Sequence, residues 1–169
     1  MKKFIIIVFI TSLYFTQNLF SQQDTIKSNS VLPQDSLGRH LWYIELAGVN
    51  FGISFNYEYI FLKETTYDLS IRTGIGGYNF FFSRFGFPLM VNFILGKEYC
   101  LDLEIGILFD KYYKQEGYDY STQAIKFVGN IGYRYVSEGG FIFRIGLTPI
   151  YHADSGFLPI IGISFGGYF

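Results

Sequence analysis

The sequence is poor in cysteine, in charge and in long apolar runs. A single cysteine, Cys100, stands among 169 residues, which excludes an internal disulfide and leaves the thiol without a cysteine companion for a metal. Lys and Arg number 13 against 14 Asp and Glu, and the net charge of −1 argues against nucleic acid or an anionic surface as a partner. A membrane-spanning helix needs about 20 nearly uninterrupted apolar residues. The sequence has no such run after its first 20 positions.

Apolar and aromatic residues are abundant instead. Half of the residues are hydrophobic, 21% are aromatic and 16% are charged, a balance unusual for a soluble domain. Gly, Asn or a charged residue interrupts the apolar stretches every few positions, which indicates β-strands. The length of 169 residues fits one folded domain.

The first residues have the features of a secretion signal. Lys2 and Lys3 provide a charged start, residues 4–15 are mostly apolar, and the small Ser21 offers a cleavage point. The polar residues that follow are predicted to be flexible. We therefore predict a signal peptide over 1–21, a flexible leader over 22–38 and a folded β-domain over 39–169.

From His40 onward, eight segments alternate apolar and polar side chains with a period of two, which predicts β-strands. In the seventh segment Phe141 and Phe143 fall on one face, and Arg144 falls on the other. Each segment has roughly the 9–11 residues that a tilted membrane-spanning strand requires. The segments cover residues 40–49, 51–61, 66–76, 86–96, 99–109, 123–135, 140–151 and 158–169.

One face of these segments collects the charged side chains and most of the strand glycines. An eight-stranded barrel has an interior that side chains just fill, so long charged residues there must be interleaved with residues that have no side chain. The polar, glycine-rich face is therefore predicted to point inward, and the Leu, Ile and Phe face to meet lipid. The charged residues of the polar face are Glu45, Glu58, Asp68, Arg72, Asp102, Glu104, Lys126, Arg134 and Arg144.

The predicted fold is all-β, an eight-stranded antiparallel up-and-down transmembrane β-barrel. Closure is expected because an open sheet edge in hydrocarbon would leave backbone groups unpaired. A soluble lipocalin-like barrel is the structural alternative, and it requires the Leu, Ile and Phe face to line a cavity. In that case the charged residues would lie outside.

The lengths of the connections predict an orientation. Short polar turns follow the second, fourth and sixth segments, whereas most of the other links are longer, and short turns are periplasmic in outer-membrane barrels. Both termini, with the leader, are then periplasmic. Aromatic residues at the strand ends are predicted to form two girdles at the membrane interfaces. The girdle on the periplasmic side comprises Trp42, Tyr59, Tyr67, Tyr99, Tyr133, Tyr135, Phe141 and Phe169. The girdle on the extracellular side comprises Phe51, Tyr78, Phe87, Phe109, Tyr151 and Phe157.

Several short motifs resemble those of small outer-membrane β-barrel proteins of Bacteroidota, with OmpA/OmpX-type architecture. Residues 131–135, 139–141 and 144–149 read IGYRY, GGF and RIGLTP, and residues 88–89, 95–97 and 103–106 read PL, LGK and LEIG. The resemblance covers roughly the whole mature barrel and implies eight strands without an assigned activity. The terminal Phe169 resembles the C-terminal signal through which the barrel-assembly machinery recognises such proteins.

The charges on the inner face predict a plugged interior. Five acids stand against four bases, and buried charges need pairing, so a hydrogen-bonded ion network is expected. The protein is then a monomeric, non-catalytic barrel of the cell outer membrane, in contact with its lipid, that serves envelope structure or surface interaction. A narrow pore for small solutes is the alternative within the same fold.

A lipid-modifying enzyme is the other alternative. His152 and Ser155 are close in sequence after the seventh segment, but the pair would need Asp154 or Glu104 as an orienting carboxylate. Asp, Ser and Gly at 154–156 are also typical of an ordinary turn. We therefore predict no catalytic residue.

The loop after the fifth segment is rich in tyrosine. Its side chains could contact an unknown surface ligand, such as a protein or a glycan, or rest among lipid headgroups. The candidate contact residues are Tyr112, Tyr113, Tyr118 and Tyr120. His40 and His152 lie at opposite predicted strand ends, so neither a metal site nor a cofactor is predicted.

Overall fold

The computed structural model describes residues 37–77, 84–112, 123–152 and 156–169, all of them within one compact unit. These residues form eight β-strands. None of the helices in this part of the chain is long and apolar enough to cross a membrane. The strands are β1 (His40–Ala47), β2 (Gly52–Lys63), β3 (Tyr67–Gly77), β4 (Arg84–Leu95), β5 (Tyr99–Tyr112), β6 (Gln123–Val136), β7 (Phe141–His152) and β8 (Gly156–Tyr168).

The strands close into an antiparallel up-and-down barrel. Each strand pairs with the next in sequence, and β8 returns to pair with β1, with Leu41 opposite Tyr168 and Ala47 opposite Gly162. This closure leaves no sheet edge unpaired. The predicted all-β, eight-stranded fold is therefore confirmed.

The two ends of the barrel differ. The terminal end holds the start of β1, the end of β8 and the short β2–β3, β4–β5 and β6–β7 turns. The loop end holds the β1–β2 turn and the three other connections, whose central residues 78–83, 113–122 and 153–155 lie outside the described residues.

Most predicted strand ends differ from the observed ones by one or two residues, and two of the differences affect the barrel interior. The first segment ends at Ala47 rather than at 49, because the chain turns there with φ of 59° at Ala47 and continues through one turn of 3₁₀ helix, Gly48–Asn50. The fifth segment continues past 109 to Tyr112. Asp110, which the sequence analysis placed in a loop, is consequently part of the barrel wall and is buried.

The two faces of the wall have opposite chemistry. The outward side chains are large and apolar, and Ile105, Phe127 and Ile131 are 74%, 65% and 59% exposed. The inward side chains include Arg72 and Arg134, both 0% exposed. The lipocalin-like alternative, with the apolar face inside, is therefore wrong.

A cluster of buried apolar side chains lies at each end of the barrel interior. We call the buried cluster at the terminal end the terminal layer and the cluster at the loop end the loop layer. The terminal layer consists of Leu41, Tyr43, Ile60, Ile94, Cys100, Val136 and Ile142. The loop layer consists of Val49, Met90, Leu108, Val128 and Ile150.

The chain just before β1 packs against the terminal layer. Leu37 contacts this layer, and its carbonyl oxygen accepts a hydrogen bond from Lys63 Nζ at 3.0 Å. Arg39 Nη1 donates to the carbonyl oxygen of Phe61 at 3.1 Å. The last residues of the predicted leader, Leu37 and Gly38, thus lie against the barrel.

Candidate functional site: the ionic interior

The structure places all nine charged residues predicted for the inner face inside the barrel, and each is buried. They come from six different strands, β1, β2, β3, β5, β6 and β7, because period-two alternation brings one face of every strand to the same interior. Seven of them form a continuous series of ion pairs.

Arg134 joins two carboxylates on different strands. Its Nη1 and Nη2 donate to Glu58 Oε1 and Oε2 at 3.0 and 2.9 Å, a two-pronged pairing that fits the planar guanidinium. Its Nε donates to Asp102 Oδ2 at 3.0 Å. Glu58 also accepts from the Ser70 hydroxyl at 2.6 Å. The carboxylate of Glu58 is thus satisfied on both oxygens.

Arg144 and Arg72 continue the series. Arg144 Nε donates to Asp102 Oδ2 at 2.7 Å, and its Nη2 pairs with Glu104 Oε1. Arg72 Nη1 donates to Glu104 Oε2 at 2.8 Å, and Arg72 Nη2 donates to Glu45 Oε2 at 2.7 Å. Each of the three arginines therefore bridges two carboxylates, and the series runs unbroken across the barrel.

Two further ion pairs lie near the ends of the barrel. Lys97 Nζ donates to Asp68 Oδ1 at 2.9 Å, and Lys126 Nζ donates to Asp110 Oδ2 at 2.7 Å. The sequence analysis missed Lys97 and Asp110. Asp110 has the same parity as Asp102 in β5, so the signal was present, whereas Lys97 lies in a turn, where alternation does not apply.

A tyrosine ring separates two of the arginines. The ring centre of Tyr43 lies 5.3 Å from Arg72 Cζ and 4.9 Å from Arg144 Cζ, within cation–π range. Not all polar atoms of this region have a hydrogen-bond partner in the described structure. Those without one include Tyr43 Oη, Asp102 Oδ1, Arg144 Nη1 and both amide atoms of Asn92.

Inward glycines allow the neighbouring strand to approach closely. A Cβ built on Gly146 would meet the side-chain amide of Asn130, and one built on Gly106 would lie 2.7 Å from Met90 Cα. A Cβ on Gly166 would meet Tyr43 at 2.5 Å. Glycine at these positions is therefore a requirement of packing against the neighbouring strand.

Aromatic side chains gather at the terminal end of the outer wall. Trp42 stacks with Phe169 at 6.0 Å between ring centres, and Tyr99 stacks with Tyr133 at 6.4 Å. At the loop end, one predicted girdle member was misplaced. Phe51 packs against the loop layer rather than outside, because the β1–β2 turn folds into the barrel mouth.

The remaining sequence candidates fall mostly outside the described residues. This applies to Tyr113, Tyr118, Tyr120 and Ser155, and to the side chains of Tyr112 and His152, whose backbones end β5 and β7. Across the described ranges, no three His, Cys, Asp or Glu side chains are grouped as a metal site.

Among solved structures, the chain is similar to the N-terminal β-barrel domain of OprF from Pseudomonas aeruginosa. The TM-score is 0.57 and the identity 13%, over 77% of this chain and 95% of the OprF domain. No protein-family model and no curated protein matches the sequence. The resemblance to Bacteroidota proteins is not supported by these comparisons. At this identity the likeness shows the fold alone, an eight-stranded barrel of the OprF and OmpA type.

Proposed function

We propose that the protein is a non-catalytic integral barrel of the outer membrane, with a sealed, ion-paired interior, that serves envelope structure or surface interaction. The observation that carries this proposal is the arrangement of its two faces. Ion pairs fill the inside, and large apolar side chains cover the outside.

The outer wall fits lipid better than water. Large hydrophobic side chains from all eight strands are exposed, among them Ile44, Phe55, Ile75 and Phe87. Soluble monomers rarely expose contiguous apolar patches larger than a few hundred Å². Hydrocarbon around the barrel removes that cost, and the aromatic rings at the terminal end match the interfacial preference of Trp and Tyr.

The orientation within the membrane is part of the proposal. The start of β1, the end of β8 and the short turns share one end of the barrel, as expected for the periplasmic side. Phe169 packs on Trp42 at that end, where the barrel-assembly machinery would recognise the last strand. We propose that the barrel is a monomer, because β8 pairs with β1 and so leaves no strand edge for a second copy.

A sealed interior is favoured over a pore. The charged series lies between two apolar layers, and Leu41, Val49 and Ile142 within them are each 0% exposed. An ion crossing the barrel would have to break buried ion pairs and pass both layers, which is costly in a medium of low dielectric.

Cell fractionation with gel electrophoresis tests the membrane location. The full chain is expected in the outer-membrane fraction, as a band that changes its mobility in SDS only after boiling. A protein found in the soluble fraction, without such a shift, would refute the proposal.

Planar-bilayer recordings test the seal, and the purified barrel is expected to give no discrete conductance steps. Steady single-channel currents would instead establish the pore.

A further inference from the structure

The β1–β2 turn, residues 47–51, is folded into the barrel mouth at the loop end. Val49 is 0% exposed and belongs to the loop layer, and Asn50 is 3% exposed. The turn contacts β4, β7 and β8 in addition to β2 and β3. A two-strand connection at the end of a barrel needs none of these contacts to reverse the chain.

Two glycines of the barrel wall, Gly86 and Gly162, form a socket for the turn. A Cβ on Gly86 would meet Asn50 Oδ1, and a Cβ on Gly162 would lie 2.9 Å from Gly48 Cα. Gly48 itself lies over Glu45, whose carboxylate carbon would be 2.6 Å from a Cβ at that position. The inserted turn is therefore matched to the wall around it, and it covers the end of the ion-paired series.

The inserted conformation is also strained. Ala47 has φ of 59° and ψ of −129°, and Phe51 has φ of 59° and ψ of 3°. Both φ values are positive, which glycine tolerates freely and other residues rarely adopt, and Phe51 has the left-handed αL conformation. Strained backbone of this kind persists only where the surroundings enforce it, and it is typical of switch regions.

A polar group adds to the cost of insertion. Neither amide atom of Asn50 has a hydrogen-bond partner in the described structure, although both atoms are buried. Water would satisfy them if the turn swung outward. Burial of Val49 and the contact of Lys126 Nζ with the Phe51 ring, at 5.5 Å, favour the inserted state. Opposing contributions of this kind characterise an element with two accessible states.

We infer that the β1–β2 turn is a movable plug, which leaves its glycine socket to expose the loop layer and the Glu45 end of the ion-paired series to the outside. The inserted state is held by apolar contacts and opposed by strain at two residues and by the unpaired Asn50 amide. This inference goes beyond the proposed function, because a sealed barrel needs only a fixed turn.

Thiol labelling of the purified full chain in detergent tests the plug. Val49→Cys, in a Cys100→Ala background, places a thiol at a fully buried position of the turn. Wild-type Cys100, 1% exposed in the terminal layer, is the matched buried control, and Glu64→Cys in the same background is the exposed reference. Each native barrel is treated with a maleimide, and the rate of modification is measured.

Val49→Cys is expected to react at least tenfold faster than Cys100 and much more slowly than Glu64→Cys. Adding Ala47→Gly relieves strain in the inserted state and is expected to slow the labelling of Val49→Cys by about tenfold. A Val49→Cys rate equal to that of Cys100, or one that Ala47→Gly leaves unchanged, would show a fixed turn.

Amide hydrogen exchange gives a second test that needs no cysteine variant. The amides of residues 49–51 are expected to exchange faster than those of residues 43–45 in β1, and Ala47→Gly is expected to slow their exchange. Equal protection in both segments would overturn the inference. Both experiments read the turn in detergent, so their outcome is independent of where the barrel resides in the cell.

Discussion

Arg134 and Glu58 form the most complete ion pair of the interior, with both guanidinium Nη atoms donating to both carboxylate oxygens at 3.0 and 2.9 Å. The two residues are 76 positions apart in sequence, on β6 and β2, and both are 0% exposed. The pair thus spans the barrel, and with Asp102 it links three strands.

Arg134→Ala tests the importance of this pairing for stability. Truncation leaves Glu58 and Asp102 buried without their shared cation, which is expected to lower the free energy of unfolding by about 3–5 kcal/mol. Urea unfolding of the barrel in lipid vesicles measures the change. Glu138→Ala, at an exposed turn position, is the control and is expected to have little effect.

The double variant Arg134→Leu with Glu58→Leu separates pairing from charge burial. Removing both partners of the pair leaves no unpaired charge at position 58, so it is expected to cost less than Arg134→Ala alone. A double variant at least as unstable as the single one would show that the pair itself, rather than the orphaned carboxylate, carries the stability.

Asn92 and Asn56 allow a comparison of two buried amides, one without and one with hydrogen-bond partners. Both are 0% exposed, but Asn56 donates to Ser54 Oγ at 2.9 Å and accepts from Arg72 Nε at 3.1 Å, whereas neither amide atom of Asn92 has a partner in the described structure. Asn56→Leu is expected to cost about 1–3 kcal/mol of unfolding free energy because it strips partners from buried polar groups. Asn92→Leu is expected to be neutral or stabilising. Urea titration measures the unfolding free energy of both variants. Equal losses of unfolding free energy at both positions would contradict the hydrogen-bond assignment.

Gly106 and Gly129 test how much space the wall leaves for a side chain at each position. A Cβ on Gly106 would lie 2.7 Å from Met90 Cα, whereas a Cβ on Gly129 would lie 3.3 Å from the Glu104 carbonyl oxygen and 3.4 Å from Pro149 Cγ. Gly106→Ala is therefore expected to destabilise the barrel by about 1–3 kcal/mol, as overpacking does. Gly129→Ala is expected to cost less, and refolding yield read from gel mobility ranks the two variants.

Ile105→Lys tests what surrounds the outer wall. Ile105 points outward from the middle of β5 and is 74% exposed. A lysine at the bilayer midplane of such a barrel is expected to destabilise it by about 2–4 kcal/mol. In water, the same substitution at so exposed a site would have little effect. Urea unfolding in vesicles measures the change in the free energy of unfolding. Glu98→Lys, at an exposed turn position, is the control.

Much of the architecture could be predicted from alternation alone. A period of two assigns each residue to a face, and so the inward position of Arg72, Asp102 and Arg144 could be derived without coordinates. The concentration of strand glycines on one face identified that face as the inner one. Gly106 and Gly146 leave space that neighbouring residues of the wall occupy.

The apolar layers could not be predicted in the same way. Leu41, Ile60 and Ile94 share the inner face with the charges, but their grouping depends on depth along the barrel, which is set by strand tilt and register across several strands. The inward fold of Val49 and Phe51 depends on left-handed backbone at non-glycine residues, for which the sequence carries no local signal.

The lone tryptophan offers the most direct test of the membrane account. Trp42 points outward at the terminal end and is 40% exposed. In vesicles, its fluorescence is expected to be quenched strongly by lipids brominated near the headgroup end of their acyl chains and weakly by aqueous iodide. Strong quenching by iodide, with no effect of brominated lipid, would contradict the claim that the apolar wall faces the membrane.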